Sequence, residues 1–350
     1  MNNTFIEGGG IDRVMFGLID RVRKVHPVKV LVAESGFEVD YPDLRNLEIE
    51  VVKTKDTRHK VLWMLTTVRN RMLNETGIFH LHHAVLNWAA LGNGRRNYLC
   101  TYHGWYSMAL DPAMAPKKIA RAGFLGGTTA LYRRMHRVTT VSLTQKEELE
   151  GTYRVKDATY IPNGVDTSSF SPTGEDEGYM LFVGRLIGQK RVEQLVQLAA
   201  DIDMPLKIIG RGPQKDELML LASKLGVELD IMTGLSEEDL IDTYRRAAFY
   251  ATASGWEGMT LTILEACACG KPVLAYDVVS NRDVVVDGST GLLAKDYEGL
   301  VKYGRTLKED EGLRQEFGKH ARQRVEERFT WDAIADQYLT IYAKIAEDLE

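Results

Sequence analysis

Short apolar runs alternate with stretches of helical period along almost the whole chain. In the first half, Val28–Ala33, Ile49–Val52, Ile78–His82, Tyr98–Tyr102 and Val138–Val141 are bounded apolar runs that predict strands. Helix-period segments such as Arg13–Lys24 and Lys60–Glu75 accompany them. After Pro172 the pattern restarts. Tyr179–Val183, Leu206–Ile209, Leu229–Met232, Ala248–Thr252 and Val273–Tyr276 predict strands, and Arg191–Ala200, Gln214–Leu225, Glu237–Ala247 and Leu261–Cys269 predict the helices between them. Strand–helix–strand alternation with right-handed crossovers means parallel sheets covered by helices. The expected fold class is therefore α/β, with two doubly wound domains. The polar stretch Asp166–Glu177 (DTSSFSPTGEDE) separates the two series. The expected division is an N-terminal domain at 1–165, a linker at 166–177, a C-terminal domain at 178–330 and a last helical segment at 331–350. Doubly wound sheets bind ligands at the carboxyl ends of their strands, so two such sheets predict a cleft between domains.

Composition narrows the class. Across 350 residues, 44% hydrophobic and 27% charged describe an ordinary globular protein and exclude disorder, collagen and coiled coil as the main class. No window approaches the roughly 18 consecutive apolar residues of a membrane span. The start, MNNTFIEGGGIDR, shows no basic region followed by an apolar run, so no signal peptide is read there. Three cysteines without zinc spacing fit a reducing, cytoplasmic setting. The net charge of −5 hides an asymmetry. Residues 1–170 hold 23 Lys and Arg against 17 Asp and Glu, net +6, and residues 171–350 hold 21 against 32, net −11. Within 111–137, Lys117, Lys118, Arg121, Arg133, Arg134 and Arg137 face one acid, Asp111. That segment is either a solvated helix face or a patch for anionic lipid or a phosphorylated acceptor. No nucleic-acid partner is expected.

The segment GWEGMTLTILEACACGKPV, residues 255–273, follows a predicted strand and opens a predicted helix. The amides of Met259, Thr260 and Leu261 are helix-start donors suited to an anion. Glu257 and Glu265, eight residues apart, have to answer hydroxyls instead, because like charges repel. Phosphate donors flanked by two hydroxyl acceptors suit a nucleotide-linked sugar. The plainer reading is a first-turn acid at Glu257 and a surface acid at Glu265. In FVGRLIGQKRVEQL, residues 182–195, a strand end is followed by Gly184, Arg185 and Lys190. An arginine fork and a lysine point charge there can neutralise a departing diphosphate, or can be solvated loop cations. The run Gly8–Gly10 precedes a helix and allows close approach to a ligand, and Gly210–Gly212 (GRG) lacks a third glycine at dinucleotide spacing.

His80, His82 and His83 lie in FHLHHA, and His103 in TYHGW after a strand. No Asp or Cys completes a metal spacing around them, so packing is the reading for one or more of the first three. His103 is the polar candidate for a substrate hydroxyl. Cys267 and Cys269 read as buried thiols, and Asp201–Asp203 as a loop.

Taken in order, GGGIDRV (8–14), HLHHA (80–84), TYHG (101–104), TTVS (139–142), IPNGVD (161–166), FVGRLIGQK (182–190), IIGRGP (208–213), TGLSEEDL (233–240), EGMTLTILEACACGKPV (257–273) and DGSTGLL (287–293) resemble family 4 of the GT-B glycosyltransferases. The resemblance implies two Rossmann-like doubly wound domains facing across a cleft, with the donor mainly on the C-terminal one and the last helix packing back on the N-terminal one. It implies retaining, metal-independent transfer of a hexose-type sugar from an NDP-sugar (UDP or GDP) to a glycan, lipid-linked or small-molecule acceptor. By position it gives Arg185 and Lys190 to the diphosphate, Glu265 to the ribose, and the amides of Thr260 and Leu261 to phosphate or sugar. Glu257 and His103 then take the transferred sugar as catalytic residues, and Gly9 and Gly10 line the diphosphate. It implies no cofactor and no metal, the NDP-sugar being a co-substrate. The cysteines give the expected cytoplasmic location, and the lipid reading of the basic segment 111–137 gives peripheral contact at the inner membrane face.

The chain departs from the family pattern in places. Few residues precede the glycine run, so the usual first strand is short or missing. Thr260 and Arg191 stand where the family often has glycine, and 278–288 (VVSNRDVVVDG) lacks its Gly-Gly and its glutamate, with Asp283 the candidate to replace the glutamate. The competing functions are a sugar-nucleotide epimerase, a phosphorylase, or a non-catalytic subunit on the same scaffold.

Overall fold

The computed structural model describes residues 10–34, 48–53, 60–82, 86–90, 97–103, 126–173 and 176–350. The chain divides into two units, Met1–Asn163 together with Trp331–Glu350, and Gly164–Thr330.

In the first unit, helix α1 (Gly10–Val22) buries Val14, Leu18 and Val22 along one stripe. Strands β1 (Lys29–Glu34) and β2 (Glu48–Lys53) pair in parallel, with Lys29 opposite Glu48. Helix α2 (Lys60–Asn74) turns Val68 and Met72, one turn apart, into the core. A second sheet holds β3 (Phe79–Leu81), β4 (Tyr98–Tyr102), β5 (Arg137–Thr140) and β6 (Thr159–Tyr160), all parallel, in the order β3-β4-β5-β6. Every residue of β4 is buried, as expected of an inner parallel strand covered on both faces. Helix α3 (Leu143–Gly151) follows β5. Tyr102, Tyr132 and Tyr153 meet edge to face, with ring centroids 5.6 to 6.0 Å apart.

The second unit carries one six-stranded parallel sheet. Its strands are β7 (Met180–Val183), β8 (Leu206–Ile209), β9 (Leu229–Met232), β10 (Phe249–Thr252), β11 (Val273–Tyr276) and β12 (Gly291–Ala294), in the order β12-β11-β10-β7-β8-β9. The chain winds outward from β7 to β9 and then returns to the other side of β7 with β10. The neighbours β7 and β10 are therefore the topological switch point, where the loops at the strand ends diverge. The helices are α4 (Val192–Asp201), α5 (Lys215–Leu225), α6 (Glu237–Arg246), α7 (Leu261–Ala268), α8 (Val279–Val284), α9 (Tyr297–Glu309) and α10 (Glu311–Arg328). Side-chain caps fix three of their starts. Ser236 accepts from the Asp239 amide, Asp296 from Gly299 and Asp310 from Leu313.

Where the sequence suggests a linker at 166–177, these residues belong to the second unit. Arg245 donates to the carbonyls of Ser169 and Ser171, and Arg322 to those of Thr167, Phe170 and Ala268. The last helix, α11 (Trp331–Glu347), is part of the first unit and packs on α1. It buries Trp331, Ile334, Ala335, Tyr338, Ile341 and Ile345. A Cβ at Gly17 of α1 would overlap the Trp331 ring, which is why that turn of α1 has no side chain.

Candidate active site

Three loops at the carboxyl ends of the second unit's strands build the candidate donor site. The loop after β7 lies backbone to backbone against the loop after β8. The Leu186 amide donates to the Arg211 carbonyl at 2.8 Å, and the Gln214 amide to the Leu186 carbonyl at 3.3 Å. This approach depends on glycine. A Cβ at Gly210 would overlap the carbonyl of Gly184, and one at Gly212 the carbonyl of Leu186.

Across the switch point, the same β7 loop is tied to the loop after β10. The Gly255 amide donates to the Gln189 carbonyl at 3.0 Å, and Gln189 Nε2 donates to the Trp256 carbonyl at 2.9 Å. That pairing carries Lys190, in the 3-10 turn Gly188–Lys190, onto Glu257. Lys190 Nζ donates to Glu257 Oε1, and the two side chains are only 13% and 11% exposed. Arg185, on the same loop, is exposed and forms no ion pair with any described residue. Arg191 adopts a left-handed backbone, φ 48°, and lays its guanidinium over Gly255, where a Cβ would stand 2.9 Å from Nη2.

Helix α7 starts at the far side of this loop. Thr260 is its N-cap, in extended conformation, and its hydroxyl makes no capping bond. That hydroxyl is buried without a hydrogen-bond partner among the described residues. Leu261 opens the first turn; its leading amides lack intrahelical acceptors, while the Ile263 amide donates to the Thr260 carbonyl at 3.2 Å. One turn on, Glu265 is 4% exposed, and its Oε2 accepts from the Tyr244 hydroxyl at 2.8 Å. The plainer reading of Glu265 as a surface acid is thus corrected: it is a buried, oriented carboxylate. Arg185, Lys190, Glu257, Thr260, Leu261 and Glu265 all sit on the switch-point loops or on the helix that follows them.

The remaining candidates lie on the first unit or outside the described residues. Gly9 and His83 lie outside them, as do Lys117, Lys118 and Arg121 of the basic segment, and Gly10 is the first residue of α1. Arg133 and Arg134 are exposed, and Arg137 pairs with Asp348 at 2.9 Å. His103 directly follows β4, and its Nε2 stands 3.2 Å from Nδ1 of His82, which directly follows β3. His80 packs as expected. Its ring nitrogens meet the hydroxyls of Tyr342 at 2.7 Å and Thr101 at 2.6 Å. Burial, then the neighbouring His103, lowers the His80 pKa to about 3. Among the described residues no group of three His, Cys, Asp or Glu is arranged to hold a metal ion, and no helix is long and apolar enough to cross a membrane. Burial pushes the thiols of Cys267 and Cys269 up to about 12, as suits buried cysteines.

Sequence reasoning missed three participants. Tyr244 is 21 residues from Glu265, and no motif joins them. Gln189 looks like any loop amide until its bond to Trp256 is seen. His82 lies in a run of three histidine candidates whose separate roles the spacing does not distinguish.

Residues 8–169 match the family model described as Glycosyltransferase Family 4, and residues 166–324 match that described as Glycosyl transferases group 1. An uncharacterized glycosyltransferase of Methanocaldococcus jannaschii is 24% identical over 351 residues, which cover 97% of this chain and 95% of that one. Among solved structures, sucrose-phosphate synthase from Thermosynechococcus elongatus matches with a TM-score of 0.80 at 19% identity, covering 97% of this chain and 93% of that one. Anabaena HepE, in complex with UDP and glucose, matches with a TM-score of 0.77 at 18% identity, covering 96% of each chain. Two family models that span residues 8–324 between them identify the chain as a family 4 glycosyltransferase, and the α/β architecture it shares with these solved structures is the GT-B fold.

Proposed function

We propose that the chain moves a hexose-type sugar from a UDP- or GDP-sugar to a glycan, lipid-linked or small-molecule acceptor, with retention at the anomeric carbon and without a metal ion. The observation that carries this reading is the convergence of Arg185, Lys190, Glu257 and the start of α7 at the switch point of one sheet. Breaking an anomeric C–O bond builds positive charge on the sugar and negative charge on the diphosphate. Arg185, Lys190 and the amides of Thr260 and Leu261 are donors for the second charge, and the two amides, held by the backbone, stabilise it with little reorganisation. The Tyr244 bond orients Glu265 to accept from ribose hydroxyls. Arriving diphosphate draws Lys190 away from Glu257, and the released carboxylate accepts from the sugar's hydroxyls. Glu257 is not given the nucleophile's role in this reading; it accepts hydrogen bonds from the transferred sugar. The leaving phosphate helps deprotonate the acceptor on the same face, and His103 contacts the transferred sugar. UDP-sugars come first as donors, since HepE is solved with UDP and glucose.

The test is a panel of UDP- and GDP-sugars scored by thermal stabilisation, followed by turnover of the binders with and without EDTA. One or more donors should raise the melting temperature, and Arg185→Ala and Lys190→Ala should each weaken that donor by about tenfold or more. Turnover should survive EDTA. Unchanged affinity in both folded variants would remove them from the site. Activity lost to EDTA and restored by Mg²⁺ would end the metal-free reading.

A further inference from the structure

We propose that His82 is a positioning residue, holding the ring and the tautomer of His103 through the hydrogen bond between His82 Nδ1 and His103 Nε2. The proposal rests on His103 acting at the sugar, as above, and adds the group that prepares it. Strands β3 and β4 are parallel neighbours, with His80 opposite Leu99 and Leu81 opposite Cys100. His82 and His103 therefore leave adjacent strand ends. His80 and His82, two residues apart, point to the same side of β3, and their rings lie 4.0 Å apart between centroids.

His80 is locked first. Both its nitrogens are engaged by hydroxyls, and Thr101 Oγ1 in turn meets Thr139 Oγ1 at 2.8 Å and the Tyr338 hydroxyl at 3.3 Å. Tyr338 and Tyr342 come from α11, so the last helix clamps the ring against which His82 packs at a tilt of 41°. His82 then meets His103 at 3.2 Å, with the two rings 29° from coplanar.

Burial first, then His80 and His103, lowers the pKa of His82 well below its usual value. His82 is thus neutral at physiological pH. Where His103 is neutral as well, one of the facing nitrogens carries the hydrogen and the other accepts it. A proton on His82 Nδ1 leaves His103 Nε2 bare and puts the His103 proton on Nδ1; the opposite choice reverses both. The tautomer of His103, and so what it offers a substrate, is coupled to residue 82.

Amide geometry separates this from simple packing. Asparagine places a polar atom where His Nδ1 stands, whereas glutamine places one nearer Nε2. The experiment uses the full chain with ¹⁵N-histidine and compares wild type, His82→Asn, His82→Gln and His82→Phe. His103 is followed by long-range ¹H–¹⁵N correlation, and kinetics use the donor found by the panel. His103 should show one tautomer in wild type and His82→Asn, and averaged shifts in His82→Gln and His82→Phe. In the last two, kcat should fall about tenfold or more with donor KM within about twofold, and His82→Asn should stay within about threefold of wild type. Identical His103 spectra in all four folded proteins would overturn the proposal, and so would equal kcat in His82→Asn and His82→Gln. The spectra need no turnover, so they decide the coupling even if no donor reacts. Conversely, His103→Ala with full activity would remove His103 from the reaction while leaving the spectral result intact.

Discussion

Lys190 and Glu257 neutralise one another, and a donor that uses Lys190 has to displace that pair. Glu257→Gln removes the competitor for Lys190 while keeping the shape of the side chain. UDP alone should then bind about fivefold tighter, roughly 1 kcal/mol, since partly buried pairs are worth about that much. Sugar transfer should fall by about two orders of magnitude, because the hydroxyls lose a charged acceptor. Calorimetry with UDP and initial rates with the UDP-sugar check both halves. Weaker UDP binding in the variant would mean that Glu257 holds Lys190 in place for the phosphate and does not compete for it. Arg185, Lys190 and Glu257 are legible in the sequence because a glycine turn and a helix start bracket them. The Tyr244 bond to Glu265 is not, since it is made across the fold by residues of unremarkable context. Nor is the left-handed backbone of Arg191, which depends on the open surface of Gly255.

At the scale of elements, legibility follows the apolar run. The strands at 206–209, 229–232 and 273–276 have the boundaries read from the sequence: VLAY is an unbroken buried run, and in LKII and LDIM a single charge, Lys207 or Asp230, interrupts a run that is otherwise apolar. Helix α3 escapes the pattern because only Gln145 and Leu149 of its nine residues are buried. Helix α8 has six residues, too few to show a period. Strand β12, GLLA, is short and opens on a glycine. The coupling of loops is illegible in the same way. The GRG of 210–212 lacks the spacing of a dinucleotide turn, yet Gly210 is what lets the β8 loop touch the β7 loop. Gly210→Ala should therefore cost about 2–4 kcal/mol, as a Cβ forced onto backbone cannot be relieved by a rotamer change. It should also abolish stabilisation by UDP. Urea unfolding with and without UDP checks this, and a loss under about 0.5 kcal/mol, the range of neutral surface changes, would contradict the close approach.

For the whole molecule, the fold class, the restart of the pattern and the break before Trp331 are visible in the sequence, whereas the place of 166–177 within the second unit is not. The stretch 166–177 is polar enough to read as a tether, but its carbonyls are taken by Arg245 and Arg322. Nor does polarity alone reveal that the first unit includes α11. Trp331, Ile334, Tyr338, Ile341 and Ile345 are buried there, and at about 1.5–3 kcal/mol each they rival the entire stability of about 5–15 kcal/mol of a typical domain. Deleting Trp331–Glu350 should leave the first unit unfolded and the second folded. Limited proteolysis should then cut within 10–163 while 164–330 stays intact; equal resistance of both would refute the dependence.

The first unit is assembled from segments separated by the whole of the second, and this sets an order of events during synthesis. At roughly 5–20 residues per second, the ribosome spends on the order of 10–30 s making the intervening stretch. Throughout that interval the earliest-made strands lack the helix that clamps His80. The middle of the polypeptide can mature while its beginning still waits, so nascent-chain chaperones should be needed most by the part translated first.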